Sequence, residues 1–189
     1  MREQDRSKGL GLASKLLAIG SVFLLLALAS IGLTLWVTWQ LEGGAAAVNE
    51  AGRMRMRSYQ LALMLSQQDL HAQRIALPDL QTRLTAFDET LELLRAGDPA
   101  RPLFVPWDHD TRERIQAIGS DWKELRQEVL QVAQGEPVPP DFIPRVDRFV
   151  ARIDAFVSAI ERHLSRWTAM LHTFQLAMIA LAVLSALAL

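Results

Sequence analysis

Two long stretches without charged residues, one near each end of the chain, constrain its fold more than any other feature. They cover residues 16–39 and 167–189, which are 24 and 23 residues long. A helix of about 20 apolar residues crosses the hydrocarbon core of a bilayer, so each stretch predicts a transmembrane helix. A cleaved signal peptide is the alternative for the first stretch, but its apolar run exceeds the usual length of about 7–15 residues.

Charged residues before the first stretch indicate the orientation of the chain. The leader carries more basic than acidic residues: Arg2, Arg6, Lys8 and Lys15 against Glu3 and Asp5. The positive-inside tendency therefore leaves the N-terminus in the cytoplasm and exports the middle segment. We expect a two-pass membrane protein with this order: leader 1–15, transmembrane helix 16–41, exported domain 42–166 and transmembrane helix 167–189.

The segment between the two spans carries apolar residues at alternating steps of three and four, the period of packed amphipathic helices. The first helix continues out of the membrane to about Ala76, where Pro78 ends it and Asp79 falls in the next first turn. Three further stripes follow: Leu80, Leu84, Phe87, Leu91 and Leu94; Ile115, Ile118, Trp122, Leu125, Val129 and Val132; and Val146, Phe149, Ile153, Phe156, Ile160 and Leu164.

Turn-forming and capping residues separate these stripes. Gly97 followed by Pro99 predicts the end of the second helix. Asp110 with Glu113 predicts a start for the third helix that resembles a capping box, and Pro144 suits the first turn of the fourth. The predicted fold is all-α: a membrane-anchored, antiparallel four-helix bundle with two transmembrane helices, assembled as a symmetric homodimer.

Composition argues against several classes of function. Residues 42–166 contain 16 basic and 19 acidic residues, a net charge of −3, without a basic tract that would grip nucleic acid. The chain has no cysteine, and its four histidines are scattered, so neither a disulfide framework nor a metal site is expected. No nucleophile with a base and no glycine-rich phosphate loop is present. We expect no catalytic residues and no cofactor within these 189 residues.

A second seam runs along the first helix just outside the membrane. It also alternates steps of four and three, through Leu41, Ala45, Val48, Gly52, Arg55, Tyr59, Ala62 and Ser66. This spacing predicts that Arg55 lies in a packed seam, with Gly52 one turn earlier, where the missing side chain permits close approach of a ligand or a partner backbone. The pairing predicts a small-anion site with Gly52 and Arg55 as its ligand-binding residues.

The same run resembles the periplasmic signature helix of the nitrate/nitrite sensor histidine kinases of the NarX and NarQ type, whose pattern is approximately A-I-N-x-A-G-x-L-R-M-x-S-Y. The matching positions are Ala47, Val48, Asn49, Ala51, Gly52, Met54, Arg55, Met56, Ser58 and Tyr59. Val48 and Met54 are conservative replacements, and Arg53 and Arg57 occupy variable positions of the pattern.

The resemblance implies a PilJ-like or NarX-like sensor domain in which the arginine of the motif, Arg55, binds nitrate or nitrite across a homodimer axis. Gly52 supplies backbone beside it, and five residues support the motif: Asn49, Ala51, Met56, Ser58 and Tyr59. The resemblance also implies that a small piston or rotation of the helices passes the signal to a cytoplasmic two-component histidine kinase and its response regulator. That kinase module lies outside these 189 residues, so enzymatic activity of the whole protein stays open.

The other residues of the motif have simpler interpretations. Arg53 and Arg57 are expected to pair with Glu50 or with acidic residues of a neighbouring helix. Met54 and Met56 are expected to be packing residues, because methionine fills irregular gaps. Tyr59 is expected to be a core aromatic residue with a hydrogen-bonded hydroxyl.

Two alternatives to the kinase input domain stay open on the sequence. The first is a chemotaxis-type transducer whose input domain resembles that of the type IV pilus receptor. The second is a membrane dimerisation bundle that binds no ligand and neutralises Arg55 with an acidic partner. The sequence does not decide between nitrate, nitrite and another monoanion.

Overall fold

The computed structural model describes residues 12–71, 77–98 and 100–187, and this part of the chain folds into four helices without a strand. The helices are α1 (Leu12–His71), α2 (Leu77–Ala96), α3 (His109–Ala133) and α4 (Phe142–Leu187). The predicted all-α fold is confirmed. The first eleven residues of the basic leader and the predicted end of the first helix at Ala76 lie outside the described residues.

The chain divides into two compact units. One unit comprises Trp39–Trp167, and the other comprises the two ends of the chain on either side of it. Helices α1 and α4 each contain a stretch that is long and apolar enough to cross a membrane, within Ile19–Gln67 and Phe142–Leu184. In the end unit, the amide of Gln175 donates to the hydroxyl of Thr34 over 3.4 Å, and large apolar side chains such as Leu24 and Leu176 are exposed.

All four helices contribute to one apolar core in the Trp39–Trp167 unit. The predicted stripes of α2, α3 and α4 are buried there, with Leu164 partly buried at the end of the last stripe. The rings of Phe87 and Trp122 stack with centroids 3.7 Å apart, and Phe149 packs against both. The indole N–H of Trp122 donates to the carboxylate of Asp88 over 2.6 Å. Three helices therefore meet at this aromatic cluster.

Polar contacts between neighbouring helices establish that the helices are antiparallel. Between α2 and α3, Asp88 contacts Arg126, whereas Arg95, later in α2, contacts the earlier Arg112 through its carbonyl. Between α3 and α4 the ion pairs are Glu128 with Arg145 and Asp121 with Arg152. In each pair of helices, residue numbers rise on one helix as they fall on the other, which is an up-down-up-down order.

The helix ends follow local backbone chemistry, with one difference from the sequence prediction. Gly97 and Gly135, which follow α2 and α3, adopt φ of 82° and 112°, the left-handed conformation that glycine tolerates best. The N-cap of α3 is Asp108, whose carboxylate accepts the amide N–H of Thr111 over 3.1 Å. The predicted start at Asp110 is therefore wrong by two residues, because the extended backbone of Asp108 lets its own side chain reach the first turn.

Two adjacent glycines let neighbouring elements approach α1 closely. A Cβ on Gly43 would overlap the ring of Phe104, and a Cβ on Gly44 would lie 2.5 Å from a methyl group of Leu164. Phe104 belongs to the connection between α2 and α3, and its ring also packs on Trp39 with centroids 4.8 Å apart. This connection is closed by a hydrogen bond from the amide of Asp98 to the carbonyl of Leu103 over 3.1 Å.

Candidate functional site

The face of α1 that packs into the core is not the predicted seam. The buried residues of α1 follow the same alternation of four and three, through Ala47, Ala51, Met54, Ser58, Leu61 and Leu65. The predicted seam is offset from this one by a single residue, about 100° around the helix. Of its eight residues only Ala62 is buried. In the single chain this face of α1 is half-buried or exposed apart from Ala62, and we call it the open face. That Arg55 lies in a packed seam with a second copy stays a prediction.

The residues of the motif divide between these two faces. Ala47, Ala51, Met54 and Ser58 are buried, and the hydroxyl of Ser58 donates to the carbonyl of Met54 over 2.9 Å. The outward residues line a shallow hollow on the surface of α1: Ala45, Val48, Asn49, Gly52, Arg53, Arg55 and Met56. Met54 is a packing residue as predicted, whereas Met56 is exposed and fills no gap in the core.

Gly52 lies at the middle of this hollow, one turn before Arg55. A Cβ at Gly52 would have a single neighbour, a guanidinium nitrogen of Arg55, at the ordinary contact distance of 3.7 Å. The packing of the single chain therefore accommodates alanine at this position, although glycine costs about 1 kcal/mol of helix propensity relative to alanine. The fold of one chain does not account for the glycine.

Arg55 forms an ion pair with Asp154 of α4. Its Nη1 lies 2.6 Å from Oδ1 of Asp154, and the side chains are 43% and 51% exposed. A pair this open is worth little, about 0.2–1 kcal/mol. The guanidinium has five N–H donors in a planar fork, so most of its donors remain available to another planar anion.

Tyr59 lies one helical turn after Arg55 and faces Asp147 of α4. The ring is half-exposed, so the predicted core position is wrong. The hydroxyl lies near the carboxylate of Asp147, and its predicted hydrogen bond stays a prediction. Partial burial, and after it the nearby carboxylates of Asp147 and Asp154, raise the pKa of Tyr59 above its ordinary value. Arg55, Tyr59, Asp147 and Asp154 thus form one polar strip between α1 and α4.

Sequence reasoning missed the two carboxylates of this strip. The sequence does contain a pattern that indicates them. Asp147 and Asp154 are seven residues apart and so lie on one face of α4. Arg55 and Tyr59 are four apart and share a face of α1. Acidic residues at heptad spacing opposite a basic residue are typical of the flanking positions of a helix–helix contact.

The ionisation of Tyr59 gives a direct test of this strip, because the chain contains a single tyrosine. We expect the tyrosinate absorbance of the full chain to appear with a midpoint above pH 10. Since the folded state holds the proton more tightly than the unfolded state, the stability from Tyr59 is present below about pH 10 and is lost as the pH rises through the folded-state pKa. Asp147→Asn is expected to lower the midpoint without abolishing the shift, because burial is its largest cause. Asp79→Asn on α2 is the control, and an equal change in both variants would contradict the assignment.

The remaining arginines of the motif each have a partner within the bundle. Arg53 pairs with Glu50 over 3.2 Å, as predicted. Arg57 reaches a neighbouring helix, but its partners on α2 are the carbonyl of Ala86 and the hydroxyl of Thr90 instead of a carboxylate. Both side chains are therefore used by the fold.

Sequence reasoning also missed that Glu50 joins two parts of the bundle. Its carboxylate is 2% exposed and accepts hydrogen bonds from Arg53 and, over 2.7 Å, from Arg101 of the α2–α3 connection. The bonds to Glu50 and to Asp98 raise the pKa of Arg101, since both favour its charged form. This cluster links the first helix to the connection between the second and third.

The fold is similar to that of a solved receptor domain. The ligand-binding domain of the nitrate receptor McpN of P. aeruginosa superposes with a TM-score of 0.54 at 20% sequence identity, covering 62% of this chain and 95% of that domain. At this identity the likeness shows a shared fold. No curated protein matches the chain significantly.

A family model also matches more than half of the sequence. It is the model of the PilJ family, described as the N-terminal region of the type IV pili methyl-accepting chemotaxis transducer, and it covers residues 36–149. The match includes α1 from the end of its apolar stretch, all of α2 and α3, and the start of α4. The chain therefore belongs to the PilJ family of transducer N-terminal domains.

Proposed function

We propose that this chain is the input region of a transmembrane receptor that senses nitrate or nitrite, and that Arg55 binds the anion. The observation that carries the proposal is the half-exposed guanidinium of Arg55 beside Gly52, in a hollow that faces outward from α1. The family match and the fold shared with a nitrate receptor domain support the same conclusion.

A second copy of the chain would complete the site. The open face of α1 carries small or apolar residues next to Arg55, among them Ala45, Val48, Gly52 and Met56. Two Arg55 guanidinium groups about 8 Å apart would repel by about 2 kcal/mol at an effective dielectric constant near 20, whereas one shared anion would attract both. The glycine that the single chain does not require would let two such helices approach closely at this position.

The strength of such a site has a physical limit. Nitrate has four heavy atoms, and the best small ligands gain about 1.5 kcal/mol per heavy atom. The sum is about 6 kcal/mol, which corresponds to a dissociation constant of some tens of micromolar. Only the difference in affinity between two conformations drives signalling, typically about 1–3 kcal/mol.

The test is thermal unfolding of the full chain in detergent micelles, with nitrate, nitrite, chloride and sulfate compared at matched ionic strength. Nitrate or nitrite at about 100 times its dissociation constant is expected to stabilise the wild type by about 2.7 kcal/mol. Arg55→Ala is expected to abolish this effect, because it removes the donor fork.

Arg83→Ala is the control, since Arg83 is similarly exposed and forms a similarly exposed ion pair with Asp79 within α2. It is expected to leave the anion effect unchanged. An equal response to all four salts, or a response that survives in Arg55→Ala, would refute the proposal and favour a dimerisation bundle without a ligand.

The output of the receptor is a separate question. The motif of α1 resembles that of histidine kinases, but the family match favours a chemotaxis-type transducer. In either case we place the Trp39–Trp167 unit in the periplasm and the two apolar stretches in the inner membrane. Because α1 and α4 each include an apolar stretch and part of the bundle, a displacement of either helix would carry the signal.

A further inference from the structure

We propose that Asp154 is an internal competitor of the anion for Arg55 and sets the concentration at which the receptor responds, an inference that rests on the proposed function of Arg55. The carboxylate of Asp154 is planar and carries one negative charge on two oxygens, as nitrite does. It lies 2.6 Å from the guanidinium, the distance of a short charge-assisted hydrogen bond. An anion that accepts the hydrogen bonds of Nη1 must displace it.

Because the Arg55–Asp154 pair is exposed, replacing Asp154 by an anion costs little free energy. Both side chains are about half-exposed, so either group is solvated by water when the pair opens. This is unlike Glu50, whose carboxylate is 2% exposed and whose release from its arginines would leave a buried charge. Of these two carboxylates beside the motif, Asp154 is the one that can leave its arginine without such a penalty.

The strength of the ion pair sets how far Asp154 weakens anion binding. An exposed ion pair is populated with an equilibrium constant of a few, so it weakens the apparent affinity of a competing anion by about two- to fivefold for each Arg55 that must be released. If one anion binds two Arg55 side chains in a dimer, both pairs open and the factors multiply. The factor is the same for every anion that displaces Asp154. Asp154 therefore sets sensitivity without changing the order of preference among monoanions.

Asp147 provides a matched control on the same helix. It lies seven residues before Asp154 and faces the hydroxyl of Tyr59 instead of the guanidinium of Arg55. It has the same charge and the same side chain, and it lies two helical turns from Asp154. Neutralising Asp147 changes the local charge as much as neutralising Asp154, but it leaves the competitor in place.

The experiment is isothermal titration calorimetry of the full chain in detergent micelles and chloride-free buffer, with sodium nitrate and sodium nitrite as the titrants. Asp154→Asn keeps the shape of the side chain and is expected to bind both anions at least twofold more tightly than the wild type, by similar factors. Asp147→Asn and the charge-preserving Asp154→Glu are expected to stay within about 1.5-fold of the wild type. The double variant Asp154→Asn with Arg55→Ala is expected to bind neither anion.

The binding results distinguish a failure of the competition by Asp154 from a failure of the anion site itself. If the wild type binds nitrate or nitrite and Asp154→Asn binds it no more tightly, the competition is refuted while the anion site stands. An equal gain in Asp147→Asn would also refute it, because the effect would then be general charge repulsion. If neither the wild type nor Asp154→Asn binds either anion, both the site and the competition are refuted.

Discussion

Replacing Trp122 by alanine is expected to lower the free energy of unfolding of the bundle by about 3–5 kcal/mol. Trp122 is fully buried, stacks on Phe87, packs against Phe149 and donates its indole N–H to Asp88. Alanine would leave a cavity where three helices meet and would remove one hydrogen bond of Asp88. The measurement is a urea titration of the full chain in detergent micelles, followed by far-ultraviolet circular dichroism.

Trp107→Ala is the control for this change, because it removes the same side chain from the surface. Trp107 is 84% exposed, and the guanidinium of Arg112 lies 4.0 Å from its ring centroid. Loss of this cation–π contact is worth about 0.5–1 kcal/mol. A loss in Trp122→Ala no larger than that in Trp107→Ala would contradict the assignment of Trp122 to the centre of the core.

Arg101→Ala is expected to destabilise the bundle by about 2–3 kcal/mol, the cost of removing a hydrogen-bond partner from a buried charge. It would leave the carboxylate of Glu50 with Arg53, which lies on the same helix and is half-exposed. Adding Glu50→Gln to Arg101→Ala is expected to restore part of the loss, because the uncompensated charge is then gone. The same urea titration measures both variants.

Arg83→Ala is the comparison for this prediction as well. Arg83 and Asp79 form an exposed pair one helical turn apart on α2, worth at most about 0.5 kcal/mol. If Arg101→Ala lowered the free energy of unfolding no more than Arg83→Ala, the prediction that the buried carboxylate of Glu50 depends on Arg101 would be wrong.

The helical core was predictable because hydrophobic periodicity is a direct consequence of helix geometry. The stripes of α2, α3 and α4 each contain at least five apolar residues at consistent spacing, and all of them pack inward, with Leu164 the least buried. The first residues of the helices were harder to predict than their buried faces. At the start of α3, for example, Asp108 and Asp110 are both suited to cap a helix. The backbone conformation of Asp108 decides between them, and no spacing rule contains that information.

The site was harder to predict, for two physical reasons. On α1, two faces one residue apart have the same four-and-three spacing, and the small residues Ala47 and Ala51 of the buried face carry a weaker hydrophobic signal than Leu41 and Val48 of the open one. The partners of charged residues also depend on which helices are neighbours. The contact of Arg101 with Glu50 depends on the path of a proline-rich connection that has no periodicity to read.

The glycine pair at Gly43 and Gly44 restricts how α1 can move within the bundle. The residues on either side, Glu42 and Ala45, both carry a Cβ. A screw motion of α1 by one residue, about 1.5 Å along its axis with a turn of about 100°, would therefore bring a Cβ against Phe104 or Leu164. A smaller translation is transmitted through the same two contacts. A pull on α1 at this end of the bundle therefore reaches the α2–α3 connection through the side chain of Phe104 and α4 through the side chain of Leu164.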